Sequence, residues 1–321
     1  MKRFLVAALA ALAMLPTLAA AQAYPNKPIR LLIPYPAGGT TDLMARALQE
    51  PVQRALGQPL IIENKPGASG VLAAREVARA RPDGYTLFFV NSGNVAVTPL
   101  VVKDAGFDGV KDFAPVAMVS SAPLFFVVNG DVPVRDIKGF IDYAKAQGQP
   151  VPYASAGIGS FGHLSSELFA KTAGVKLQHI PYKGQAPTTN AVVAGEVKLL
   201  ITTASSAMND FIANGRLRLL GVTSAEPSPL APGAPTVGAS LPGYVAETWF
   251  GVITTAGTPP DIVNKLNAAF NAALEQPEMQ QKFRGFGVQV RTTTPQKLGE
   301  TIVQDVARWG PVIRENNIHS D

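Results

Sequence analysis

No cysteine occurs in the 321 residues, which excludes disulfides, thiol nucleophiles and thiolate metal sites. Only three histidines are present, so with no thiolate to help them a metal centre is not expected. Charged residues make up 16% of the chain, and Lys and Arg are scattered among acids rather than clustered. That pattern argues against nucleic acid and leaves a mild bias toward anions. After the first two dozen residues no apolar run approaches the ~18 residues of a membrane span.

The N-terminus reads as an export leader. Lys2 and Arg3 form a basic segment, Phe4 to Leu15 an apolar one, and Ala21-Gln22-Ala23 a small-residue cleavage signal. Cleavage after Ala23 would start the mature protein at Tyr24 and place it in the periplasm. Loss of Lys2 and Arg3 lowers the formal charge of +5 by two. An exported chain without disulfides relies on its core alone, and about 300 residues can bury enough surface for that. The length also allows two domains.

From Tyr24 onward apolar strands alternate with amphipathic helices, the pattern of α/β folds whose ligands sit at the carboxyl ends of strands. Strands are expected at Ile29–Ile33, Pro59–Ile62, Tyr85–Val90, Val151–Ala154, Gln178–Pro181 and Val197–Thr203. Helices are expected over Val71–Ala80 and Gly162–Ala173, and from Asp261, Gln276 and Pro295. Leu43, Met44, Ala47, Leu48, Val52 and Leu56 mark one face of a further helix. Pro227–Pro242 is rich in Pro, Gly and Ala and reads as a surface loop. Phe113–Asn129 and Tyr244–Thr254 read as two crossovers between domains. The expected division is 24–124 plus 250–321 for a discontinuous first domain and 125–249 for the second.

The most informative stretch is Tyr35-Pro36-Ala37-Gly38-Gly39-Thr40-Thr41-Asp42, directly after the first strand. Strand, glycine turn and helix start together offer close backbone approach and unpaired N–H groups with partial positive charge, a receptor for a carboxylate or phosphate. Asp42 competes for those same N–H groups, so capping and loop stiffening is its expected role. Ser155-Ala156-Gly157-Ile158-Gly159-Ser160-Phe161-Gly162-His163 repeats the arrangement, with Ser160 as a helix cap. Gly157, Gly159 and Gly162 match G-x-G-x-x-G, but Lys176 and Gln178 stand where a dinucleotide site needs an acid. No nucleotide or other cofactor is expected. His163 in the first helical turn either donates to an anion or packs. Asn91-Ser92-Gly93-Asn94 follows a strand at its carboxyl end, and its polar side chains, Asn91 and Ser92 first, read as ligand contacts. Tyr182 follows another and reads as a pocket wall, with Lys183 in solvent. Ser155 and Ser160 lack a G-x-S-x-G elbow and an evident His–Asp pair, against a serine hydrolase. Trp249 reads as core or hinge packing.

With both loops in hand, the chain resembles the substrate-binding receptors of tripartite tricarboxylate transporters, the Bug or TctC family. Matching segments run nearly the whole mature length: Tyr24–Arg30, Pro34–Gly39, Glu63–Gly67, Arg81–Thr86, Asp112–Val116, Gly157–Leu164, His179–Gly184 and Leu217–Ser224. The resemblance implies a bilobed periplasmic-binding-protein fold, type II-like, with two α/β domains joined by two crossover strands. It implies a monomeric, non-catalytic receptor that traps a small organic carboxylate between the loops and delivers it to a membrane permease. The residues so implicated are Tyr35, Ala37, Gly38, Gly39, Thr40, Thr41, Asp42, Asn91, Ser92, Ser155, Gly157, Gly159, Ser160, His163, Tyr182, Thr202 and Thr203. Lys198 stands where members commonly carry Asp, either as a further anion contact or as a solvated strand start. A sensor feeding a membrane kinase and an exported enzyme acting on small carboxylic acids are the alternatives.

Overall fold

The first apolar run forms β1 (Ile29–Ile33), four of whose five side chains are buried. Glycines then turn the chain into α1 (Thr40–Leu56), followed by β2 (Leu60–Asn64), α2 (Val71–Ala78) and β3 (Thr86–Asn91). A π-helical turn (Gly93–Val97) runs straight into α3 (Thr98–Val101) and on to the 17-residue β4 (Phe113–Asn129). The second series is α4 (Ile137–Ala146), β5 (Val151–Ser155), α5 (Phe161–Ala173), β6 (Leu177–Pro181) and α6 (Gln185–Val193). It continues through β7 (Leu199–Thr203), α7 (Ser206–Ala213), β8 (Leu217–Val222) and α8 (Val237–Ser240). The chain returns through β9 (Glu247–Thr255) to α9 (Pro260–Leu274), α10 (Pro277–Gly285), β10 (Gln289–Val290) and α11 (Pro295–Glu315). This computed structural model describes residues 24–67, 70–182 and 184–319; residues 1–23, on which the expected leader falls, and Lys183 lie outside the described residues.

The strands pair in the order β2-β1-β3-β9-β4-β7-β5-β6, with β8 and β10 also on β4. Within each series the pairing is parallel, β1 with β2 and β3, and β5 with β6 and β7. Parallel strands need crossover connections, and the helices between them supply these. β4 does the joining. Its residues 113–123 run antiparallel to β9, while 124–128 pair with β7. One strand therefore belongs to both lobes, and the two expected crossovers lie side by side as β4 and β9. Burial follows the same division. Leu31, Leu48, Phe89 and Phe270 pack in the first lobe, and Phe125, Leu200 and Met208 in the second.

Two expectations change in detail. Leu43, placed on the buried face of α1, is 42% exposed; the face that packs comprises Met44, Ala45, Leu48, Val52 and Leu56. The Pro227–Pro242 loop contains the short α8, capped by Thr236, whose side chain accepts from the Ala239 amide.

The last helix spans both lobes. Leu298 and Ile302, near its start, pack with Phe88, Phe113 and Ile253. Trp309, Val312 and Ile313, near its end, pack with Phe126, Phe140 and Phe169. From Leu298 to Ile313 is about 22 Å at 1.5 Å per residue. Between these contacts sits buried Asp305, which accepts from Trp249 Nε1 at 2.7 Å and from Arg308 at 3.2 Å. Burial raises the carboxyl's affinity for a proton, and the Trp249 and Arg308 donors oppose that. Trp249 is thus core packing on a crossover strand.

Candidate ligand cleft

Each glycine loop stands at the carboxyl end of a buried strand, as the fold requires of a site. In the first, Gly38 takes φ +88°, a conformation that glycine adopts without strain, and Gly39 is the N-cap of α1. The Gly39 side-chain position is open, with only Pro36 O within 4 Å, at 3.8 Å. Asp42 does not cap the first helical turn. Its Oδ2 accepts from the Gly38 amide and from Arg46, both at 2.9 Å, and its Oδ1 accepts from Asn64 at 2.9 Å. Burial alone would raise its pKa, but the Arg46, Gly38 and Asn64 bonds hold it below the usual carboxylate range. Asp42 therefore stiffens the loop and leaves the first-turn N–H groups of Thr40 and Thr41 without an intrahelical acceptor. Ala37 to Thr40 are exposed, whereas Thr41 is buried, so the hydroxyl on the cleft side is that of Thr40 rather than Thr41.

The second loop is tied to itself more heavily. The Gly157 amide donates to Ser155 Oγ at 3.2 Å, the Gly159 amide to His163 Nδ1 at 3.1 Å, and the Ser160 amide to Gly157 O at 3.2 Å. Ser160 caps α5 by accepting from the His163 amide at 3.3 Å, which leaves its hydroxyl proton to donate elsewhere. The first-turn amides of Phe161 and Gly162 carry the helix's unpaired donors. The three glycines of the G-x-G-x-x-G match have separate reasons. Gly157 and Gly159 sit at φ +134° and +73°, and a Cβ on Gly162 would lie 2.4 Å from Ile201 O. The pattern thus serves a tight turn and close helix–strand packing, with no nucleotide needed to explain it.

Between Tyr35 and the second loop lies a cavity of about 320 Å³. Tyr35, Asn91, Asn94 and Thr248 line one side, and Ile158, Ser160 and Phe161 the other. Its polar wall is a knot in which Asn91 and Asn94 both donate to the Tyr35 hydroxyl, at 2.7 and 3.1 Å. A second cavity, about 620 Å³, is lined by Thr40 from the first loop, by Gln185, Ser205 and Asn209 from the second lobe, and by Arg284 at the end of α10. The Gln185 amide donates to Thr203 O at 2.6 Å, which ties this wall to the end of β7; Thr202, beside it, is partly buried.

Several expected contacts point elsewhere. Ser92 is fully buried and lies 3.2 Å from Thr248 Oγ1. Tyr182 donates to Glu196 at 3.2 Å rather than walling either cavity. His163 is buried and accepts from the loop, the packing role of its two expected alternatives. Lys198 precedes β7 at the end opposite Thr203 and donates to Gly195 O at 3.0 Å, so it contributes no anion contact to either cavity. Ser155 Oγ lies 2.6 Å from His179 Nε2, the spacing of a nucleophile and its base. Ser155 is 0% exposed, however, and its hydroxyl also donates to Gly157 O at 3.0 Å. That hydroxyl is a structural tie. Sequence reasoning passed over Thr248 and His179, whereas Asn94 belongs to the polar stretch after β3 that it singled out. The π-helical turn that places Asn94 is a rare element, enriched at functional sites, but its sequence carries no signature.

Among the described residues no group of three or more His, Asp and Glu is placed to hold a metal, and no helix is long and apolar enough to cross a membrane. Comparison with known proteins gives a consistent answer. The model of the tripartite tricarboxylate transporter family receptor, TctC, matches residues 44–318. BugT of Bordetella pertussis is 34% identical over 297 residues, covering 92% of this chain and 91% of BugT. A TctC solute binding protein from Polaromonas, solved with no ligand, superposes with a TM-score of 0.82 at 29% identity, covering 91% of this chain and 99% of that one. An R. palustris protein solved with adipate gives 0.73 at 34% identity, covering 92% and 99%. With the family model spanning most of its length and both glycine loops at matching strand ends, the chain belongs to the tripartite tricarboxylate transporter receptor family, TctC.

Proposed function

We propose that this protein is a periplasmic solute receptor that holds a small organic carboxylate between its lobes and delivers it to a tripartite tricarboxylate-type permease. One observation carries the reading: the helix start of each lobe borders a cavity against the other lobe, Ser160 and Phe161 across from Tyr35 and Asn91 in one, Thr40 across from Gln185 and Ser205 in the other. The Thr40 and Thr41 amides on one side and the Phe161 and Gly162 amides on the other would grip the carboxylate, with the Thr40 and Ser160 hydroxyls adding bonds. Charge-assisted bonds of this kind contribute about 1.5–3 kcal/mol each, enough to hold an anion without an arginine in either loop. The lobes proposed are 24–124 plus 250–321 and 125–249, with α11 bridging them.

The superpositions support lobe closure. The ligand-free relative fits better than the adipate-bound one although it is less similar in sequence, as expected if this conformation is the open one and hinge closure accompanies binding. Mass spectrometry of gently purified protein is expected to release a small carboxylic acid. Adding that acid back in calorimetry should give one site, and small-angle scattering should show compaction. Recovery of no acid together with no binding across a panel of mono-, di- and tricarboxylates would refute the receptor. Catalysis has one motivating contact, Ser155 with His179; turnover of any bound acid would favour the enzyme instead. A membrane-kinase sensor shares every one of these features, and its test is which membrane protein the receptor engages.

Export follows from Lys2, Arg3 and Ala21-Gln22-Ala23. Intact mass of the exported protein is expected to show loss of residues 1–23, and an uncleaved product retained in the membrane would refute it. The exported receptor is proposed to act as a monomer.

A further inference from the structure

Beneath the second glycine loop two imidazoles lie face to face. The His163 and His179 rings are 3.8 Å apart between centroids and within 11° of parallel. Tyr153 stacks against them, 5.1 Å from His179 and 6.4 Å from His163. The three come from different elements: Tyr153 from β5, His163 from α5 and His179 from β6. Parallel pairing sets Tyr153 directly beside His179, and both ends of the pair hold the loop. His163 Nδ1 accepts the Gly159 amide, and His179 Nε2 meets Ser155 Oγ. Since the Ser155 hydroxyl donates its one proton to Gly157 O, the network assigns the proton of that contact to His179 Nε2.

We propose that His163 and His179 are positioning residues that hold the Gly157–Ser160 loop in shape only while both rings are neutral, so that acid releases the loop and weakens carboxylate binding. The consequence for binding rests on the cleft proposed above; the clamp itself does not. The geometry leaves no room for a proton at His163 Nδ1, because the Gly159 N–H already points there. A charge on His179 would stand 3.8 Å from its partner ring. No compensating anion is at hand. The loop Ala156–Ser160 has no charged side chain. Glu167 of α5 is engaged by the Tyr153 hydroxyl at 2.6 Å, and among the described residues neither ring forms an ion pair.

Burial, and for His163 also the neighbouring His179, push both pKa values down to about 4. An unclamped histidine titrates near 6.5. Between these values the released loop takes up protons that the clamped loop refuses. The clamp is therefore at full strength above about 6.5 and is lost as pH falls toward about 4.

Labelled protein without any added acid tests this by NMR. Both ring signals are expected to titrate near 4, and the Gly159 amide should move with the same midpoint. Its hydrogen-exchange protection should fall at least about tenfold from pH ~6.5 to ~4. His163→Asn combined with His179→Gln keeps an acceptor for the Gly159 amide and a donor for Ser155 but titrates at neither position, so protection there should vary by less than about twofold over the same range. His179→Gln alone removes the stacked ring and should raise the His163 titration only in part, because burial is the larger cause of its depression. Rings titrating near ~6.5 in the wild type, or a Gly159 amide in the double variant that responds to acid as the wild type does, would overturn the proposal. A protein that shows the acid response yet binds no carboxylate would refute the cleft alone.

Discussion

Gly39→Val is expected to cost at least about 100-fold in carboxylate affinity, the equivalent of about two charge-assisted hydrogen bonds, with little change in stability. The separation follows from the backbone. Gly39 lies at φ −76° and ψ 166°, an extended conformation that valine favours, and the site of its Cβ is uncrowded. The folded protein opposes the substitution only through the mild preference of a helix N-cap for glycine over valine. What it blocks is the approach of an anion to the Thr40 and Thr41 amides, because a branched side chain would stand at the N-cap of the helix that presents them. Gly38→Ala serves as the converse control. Its cost is backbone strain at φ +88°, about 1 kcal/mol of stability. Calorimetry and thermal melts on the two variants decide the matter, and wild-type affinity in Gly39→Val would mean that the carboxylate binds elsewhere.

Gly162→Ala should behave in the opposite way and destabilise the fold. A Cβ at this position meets Ile201 O at 2.4 Å, and both obstacles are backbone, so no side-chain rotation relieves the contact. Helix α5 would have to lift from β7, loosening Leu164 and Phe169, which are fully buried. Overpacking of this kind costs about 2–4 kcal/mol, which in a chain of this size lowers Tm by about 3–6 °C. A melting temperature equal to wild type would show that α5 and β7 are not held that close.

Much of this was legible in the sequence, for identifiable reasons. Buried parallel strands read as continuous apolar runs, and a glycine turn after such a run marks the end at which ligands sit. Both loops could be placed from those signals alone. The matching segments supplied the family. What stayed hidden depends on pairing between distant residues. His179 matters because it lies beside Tyr153 across a parallel register, and neither residue carries a mark of that partnership. Thr248 reaches Ser92 only because β9 folds back between β3 and β4. Asp42 was recognised as a loop stiffener, yet its ties to Arg46 and Asn64 require α1 and β2 to be in place. Thr41 was expected to contact the ligand because its type and position suit one; the structure buries it and leaves Thr40 exposed, a difference that the local sequence does not report. Helical periodicity likewise shows that α11 has an apolar face but not that its two ends serve different cores.

That last helix also has a consequence for how the protein comes into being. A chain that emerges N-terminus first presents β1 to β3 and all of the second series before any of α11 is available. The core around Phe126, Phe140 and Phe169 stays incomplete until Trp309, Val312 and Ile313 arrive, and that around Phe88 and Phe113 until Leu298 and Ile302 do. Neither lobe can close as a finished unit during synthesis. The cores around Leu31 and Phe125 need no residue of α11 and can form early, and the final few turns then complete both halves in one late step.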